Sequence, residues 1–140
     1  MAELATLNCY LHNWVGENTD RGTVAETLMA IAGACCEISE LIAQGPLAGS
    51  LGAVHGNNVD GDAQKELDLR ANELVINSLR TAPVAYVASE ELDNPLEINP
   101  GAPLYVAIDP LDGSSNIDTN ISIGTIFSVL PSQSGFNGLD

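Results

Sequence analysis

Two short stretches carry carboxylates in a pattern that suits metal and phosphate chemistry. Ala88-Ser89-Glu90-Glu91 and Ile108-Asp109-Pro110-Leu111-Asp112 each place acids at the end of an apolar run. In open sheets flanked by helices, ligands bind beyond the carboxyl ends of the strands. If the two runs are parallel neighbours, Glu90, Glu91, Asp109 and Asp112 converge. Four carboxylates held that close repel, and at least one stays protonated near neutral pH unless cations lie between them. Magnesium supplies that charge and prefers oxygen ligands at roughly 2.0–2.1 Å. Two such ions about 3.5–4 Å apart clamp the attacking and leaving oxygens of a phosphoryl transfer.

The residues after Asp109 suit the same chemistry. Pro110 fixes φ and has no N–H, which favours a sharp departure from a strand. The Leu111 carbonyl can then turn toward a metal, with Asp112 on the other side of the turn. Gly113, Ser114, Ser115 and Asn116 can open a helix or nest whose N–H groups hold phosphate oxygens. The plainer alternative stays open at this point: Asp-Pro and Asp-Gly are ordinary turn dipeptides, and paired acids at a strand end are often merely solvated. His12 and His55 have no acidic or nucleophilic partner at a telling spacing and read as surface or loop residues.

The elements that must position these acids follow from periodicity. Val24, Leu28, Ile31, Cys35, Ile38 and Ile42 recur at steps of four and three, which predicts a helix over 23–44. Thr23 with Glu26 matches a capping box at its start, and Gly45-Pro46 ends it. Residues 45–61 are rich in glycine and small residues and read as loop. A second helix is expected over 63–79, with Leu67, Ala71, Leu74, Val75 and Ser78 or Leu79 inward. Val84–Ala88 and Leu104–Ile108 read as buried strands, joined by a Pro/Asn-rich connection. Ile121–Leu130 reads as a longer strand, or a pair bent at Gly124, and 131–140 as coil. Helix, helix, strand, strand, strand predicts an α/β or α+β fold rather than a bundle.

Composition narrows the class. The chain has 140 residues, enough for one modest core, and 45% are hydrophobic but only 4% aromatic, so Ala, Val, Ile and Leu build that core. Nineteen acids against four Lys plus Arg give a formal charge of −15, which disfavours nucleic acid and anionic membranes as partners. Cys9, Cys35 and Cys36 show no Cys-x-x-Cys spacing, and Cys35 falls on the apolar stripe of the first helix. A reduced cytoplasmic setting fits, and neither a secretory signal nor a membrane span is read.

Val-Ala-Ile-Asp-Pro-Leu-Asp-Gly-Ser-Ser-Asn-Ile-Asp followed by Ile-Ser-Ile-Gly-Thr-Ile-Phe-Ser-Val resembles the signature of class I fructose-1,6-bisphosphatases. Gly56–Asp68, Ala71–Asn77 and Ser89–Glu91 agree with it in order and spacing, and the resemblance runs from about Thr23 to Leu130. It implies an α/β fold, the α+β layered sandwich of the sugar phosphatase and inositol monophosphatase superfamily, here truncated. It implies magnesium, two or three ions with manganese as a substitute, held by Glu90, Asp109, the Leu111 carbonyl and Asp112, with Asp62 near a further position. It implies a 1-phosphate cradle at Asp112, Gly113, Ser114 and Ser115, and water activation by Asp68 and Glu91.

The expected domains are an N-terminal segment (1–22), a metal- and phosphate-binding domain (23–130) and a coil tail (131–140), without the C-terminal sugar-binding domain. The expected reaction is hydrolysis of fructose 1,6-bisphosphate to fructose 6-phosphate, in gluconeogenesis or the Calvin cycle, by a complete protein that is a homotetramer. The 140-residue chain by itself is expected to be inactive and to expose an apolar face. Sedoheptulose-1,7-bisphosphatase activity, or a non-catalytic acidic cation-binding role, are the alternatives. Arg21-Gly22-Thr23-Val24-Ala25 and Pro103-Leu104 stand where AMP-inhibited animal enzymes have a threonine-rich helix start and a Lys-Tyr pair, so an AMP site is expected to be weak or absent.

Overall fold

The computed structural model describes residues 5–44, 59–119 and 122–132; of 59–63 and 118–119 it describes the backbone. The chain runs α1 (Leu7–Val15), α2 (Thr19–Gln44), α3 (Val59–Leu79), β1 (Val84–Ser89), β2 (Leu96–Glu97), β3 (Leu104–Asp112), a 3-10 helix (Ser114–Thr119) and β4 (Gly124–Pro131). The four strands form one mixed sheet in the order β2-β1-β3-β4. The α/β class expected from the element order is the one observed.

The central pair decides where the acids go. β1 and β3 are parallel neighbours, with Ser89 in register with Ile108. β1 ends at Ser89 while β3 runs on to Asp112, so Glu90-Glu91 and Asp109–Asp112 emerge at the same end of the sheet. β4 runs antiparallel to β3 and β2 antiparallel to β1. Ile31, Ala34 and Ile38 of α2 meet Ala71, Val75 and Leu79 of α3 and Val84, Val87, Val106, Ile108 and Leu111 of the sheet in one core. Their shared burial is what holds α3, and so Asp68, against the sheet.

Three boundaries depart from the periodic reading. α2 begins at Thr19, because Asn18 caps it: its side-chain oxygen accepts the Arg21 N–H at 3.0 Å. Thr23 is consequently inside the helix and its hydroxyl donates to the Asp20 carbonyl, so the Thr23–Glu26 capping box is not used as a start. α3 begins at Val59, inside the stretch read as loop; the remainder of that loop and the Gly45-Pro46 stop lie outside the described residues. β3 does not stop at Ile108 but continues through Pro110 to Asp112. Its register against β4 shifts between Asp109 and Asp112, so Pro110 sits in a bulge where no ladder N–H is needed.

α1 and β2 had no counterpart in the sequence reading. α1 is capped by Thr6, whose hydroxyl accepts the Cys9 N–H, and it buries only Leu11. Ile121 and residues 133–140 lie outside the described residues, and β4 starts at Gly124. Among the described residues no helix is long and apolar enough to cross a membrane.

Candidate active site

Three segments meet at the carboxyl end of β1 and β3. α3 brings Asp68, the turn after β1 brings Glu90 and Glu91, and the bulged end of β3 brings Asp109 and Asp112. The β1 turn is fixed by backbone bonds: the Glu90 N–H donates to the Ile108 carbonyl and the Leu92 N–H to the Ser89 carbonyl, both at 3.1 Å. The β3 end is fixed by its own aspartate, because Asp109 Oδ1 accepts the Leu111 N–H at 3.1 Å across Pro110. Thr125 on β4 braces the same bulge from outside, its hydroxyl donating to the Pro110 carbonyl at 2.9 Å. The Leu111 side chain is buried in the core, which anchors the residue whose carbonyl was singled out.

Electrostatics tie these acids together. The Glu90 carboxyl is hydrogen-bonded to Asp109, and this bond, the Asp109 charge, some desolvation and the charges of Glu91 and Asp112 all hold its pKa above the ordinary value. Glu91 is raised chiefly by burial and then by the charges of Asp68 and Asp109, with Lys65 pulling the other way. Asp68 is raised by burial and by Asp109, while a hydrogen bond from the Ser114 hydroxyl to its Oδ2 at 3.3 Å opposes the rise. Three carboxyls therefore favour their protons more than a solvated acid does.

The phosphate side of the site starts at Gly113. Its φ is +78°, and an added Cβ would lie 3.2 Å from Asn116 Nδ2 and 3.3 Å from the Ser122 carbonyl oxygen, so the turn is built for glycine. Ser114 then opens the 3-10 helix, and its hydroxyl also accepts from Gln64 Nε2 at 3.2 Å. Gln64 and Asp68 lie one helical turn apart on α3 and both reach Ser114. Gln64 was missed from the sequence: its i,i+4 spacing to Asp68 puts both on one face of α3, but its partner Ser114 lies 50 residues away.

The singled-out residues fall into three groups. Asp68 with Ser114 and Glu90 with Asp109 are in direct contact; Glu91 and Asp112 lie close enough to act through charge. Ser115 is exposed and Gly113 half-buried beside them. Asp62 belongs to α3 by its backbone, but its side chain lies outside the described residues. His12 is exposed, as read, and His55 lies outside the described residues. Cys35 packs on the core, and its thiol donates to the Thr125 hydroxyl at 3.5 Å.

The donor set fits a hard cation. Asp68 Oδ1 is buried with no hydrogen-bond partner among the described residues, a costly state for a carboxylate oxygen. All the candidate side-chain donors are oxygens, the ligand type that hard divalent cations prefer. Among the described residues no three acids, imidazoles or thiols are gathered tightly enough to ligate one ion as they stand.

Comparisons with known proteins bear on the family and the fold. Residues 6–138 match the family model described as fructose-1-6-bisphosphatase, N-terminal domain. The chain is 55% identical over 130 residues to a class 1 fructose-1,6-bisphosphatase of Xanthobacter autotrophicus, covering 93% of this chain and 35% of that protein. It is 52% identical over 128 residues to one of Azorhizobium caulinodans, covering 90% of this chain and 39% of the relative. The fold is similar to the holo-form crystal structure of Leishmania major fructose-1,6-bisphosphatase, with a TM-score of 0.77, 28% identity, and coverage of 95% of this chain and 40% of that one. The chain thus spans well under half the length of these relatives.

Proposed function

Because the chain belongs to the fructose-1,6-bisphosphatase family, we propose that its acidic site carries the magnesium-dependent hydrolysis of the 1-phosphate of fructose 1,6-bisphosphate in the complete protein. The observation that carries this reading is the parallel β1–β3 register, which brings Glu90-Glu91 and Asp109–Asp112 to the same end of the sheet. Glu90, Asp109, the Leu111 carbonyl, Asp112 and Asp62 would hold the ions. Bound magnesium supplies charge to the phosphoryl oxygens and acidity to the attacking water.

The remaining roles belong to the chain itself. Asp68 and Glu91 share the water's proton; their raised pKa values suit groups that take a proton and keep it through the reaction. Gly113, Ser114 and Ser115 receive the phosphate, with Gln64 and Asp68 fixing the Ser114 hydroxyl. Of the four cations in the chain, Arg70 is paired with Glu66 and Arg21 stacks on Trp14, which leaves little to neutralise a second phosphate. The 140-residue polypeptide alone is therefore expected to show no useful bisphosphatase activity. Our reading takes the complete protein as a cytoplasmic homotetramer.

The test is Asp112→Ala in the complete protein, assayed with magnesium on fructose 1,6-bisphosphate and, in parallel, on sedoheptulose 1,7-bisphosphate. The expected outcome is a loss of roughly 10²–10³ or more in kcat/KM. A neutral result removes Asp112 from the site.

A further inference from the structure

One buried polar pair beside the site has no part in the roles given so far. Asn72 on α3 is 5% exposed and Ser89 at the end of β1 is 7% exposed. The Ser89 hydroxyl donates to Asn72 Oδ1 at 2.7 Å and accepts the Glu91 N–H at 3.3 Å. Ser89 thus bonds the turn through two different groups, since its carbonyl also accepts the Leu92 N–H. Asn72 stands four residues after Asp68, so both lie on one face of α3.

We propose that Asn72 and Ser89 are positioning residues, whose hydrogen bond sets the Glu90-Glu91 turn at a fixed distance from Asp68. The reasoning is geometric. Apolar packing holds α3 against the sheet but is non-directional, and it tolerates sliding of the helix along the strand. A buried hydrogen bond is directional and costly to break, so it selects one axial placement. Through the Glu91 N–H that placement passes to the backbone carrying both glutamates. Neither residue touches substrate; each acts through the acids it places. The inference rests on the cation-binding reading of the site.

The experiment uses the 140-residue chain, with manganese binding followed by electron paramagnetic resonance and exchange of the Glu91 amide followed by NMR. Ser89→Ala is expected to speed Glu91 exchange about tenfold or more and to weaken manganese binding by roughly 10-fold. Ser89→Thr, which keeps the hydroxyl, is expected to restore both to within about threefold of the original chain. Thr27→Ala removes a buried hydroxyl from α2 and is expected to move neither, whatever it does to the melting temperature. Unchanged Glu91 exchange in Ser89→Ala, unchanged manganese affinity, or an equal effect of Thr27→Ala overturns the inference. If the original chain does not bind manganese, the cation reading fails, and Glu91 exchange alone then decides the positioning role. Should Ser89→Ala not fold, Ser89→Cys, similar in volume and a weaker donor, is read in the same way.

Discussion

Asp68, Glu90 and Glu91 each hold a proton more tightly in the folded chain than in the unfolded one. The sign of the consequence follows from proton linkage. In the window between the ordinary carboxylate values, about 4, and the raised ones, the folded state binds more protons than the unfolded state. The stability these groups contribute is present below that window and lost as pH rises through it. Without divalent cations, the original chain is expected to lose stability relative to Glu90→Gln as pH increases from about 4 to neutral. Added magnesium should narrow the gap. Thermal melts of both proteins across this range check it, and parallel pH curves would refute it. The acids themselves were legible as a cluster because each stands at the end of an apolar run. Gln64, Asn72 and Thr125 were not: their partners Ser114, Ser89 and Pro110 lie 50, 17 and 15 residues away, distances at which sequence spacing carries no signal.

The β3 end shows how an element can differ from its sequence pattern and still serve the site. Pro110 read as the stop of a strand, since it lacks a donor; in the fold it occupies the bulge, and the strand resumes to pair Asp112 with Gly124. The bulge is held by Asp109 through the Leu111 N–H and by Thr125 through the Pro110 carbonyl. Thr125→Val keeps the shape and removes the second of these bonds, together with the acceptor of the Cys35 thiol. Expected are a loss of about 1 kcal/mol in unfolding free energy and faster amide exchange at Leu111 and Asp112. A denaturant titration with NMR exchange measures both, and an unchanged Leu111–Asp112 segment would show that Asp109 suffices. The strands and the two long helices were legible because their apolar periods are strong. α1 was not, because a helix that buries only Leu11 leaves almost no stripe to read, and β2 is only two residues long.

At the scale of the molecule, β4 stands at the edge of the sheet with Ile126 59%, Phe127 38% and Leu130 40% exposed. Consecutive residues point to opposite faces, so Ile126 and Phe127 leave both faces of the edge open. An apolar edge strand of this kind pairs with other chains. The 140-residue chain is expected to self-associate with rising concentration, and Ile126→Lys with Phe127→Lys to shift it toward monomer. Sedimentation velocity decides this; a monodisperse monomer without the substitutions would refute it. The reach of the Cys35–Thr125 bond bears on how such a chain is made. The two residues stand 90 apart, and a ribosome adds about 5–20 residues per second. For roughly 5–18 s after Cys35 is polymerised, α2 has no β4 to meet. Ile31, Ala34 and Ile38 can meet Ala71, Val75 and Leu79 of α3 sooner, so only the Cys35 position waits for β4, and that interval is set by translation speed rather than by any rate of folding.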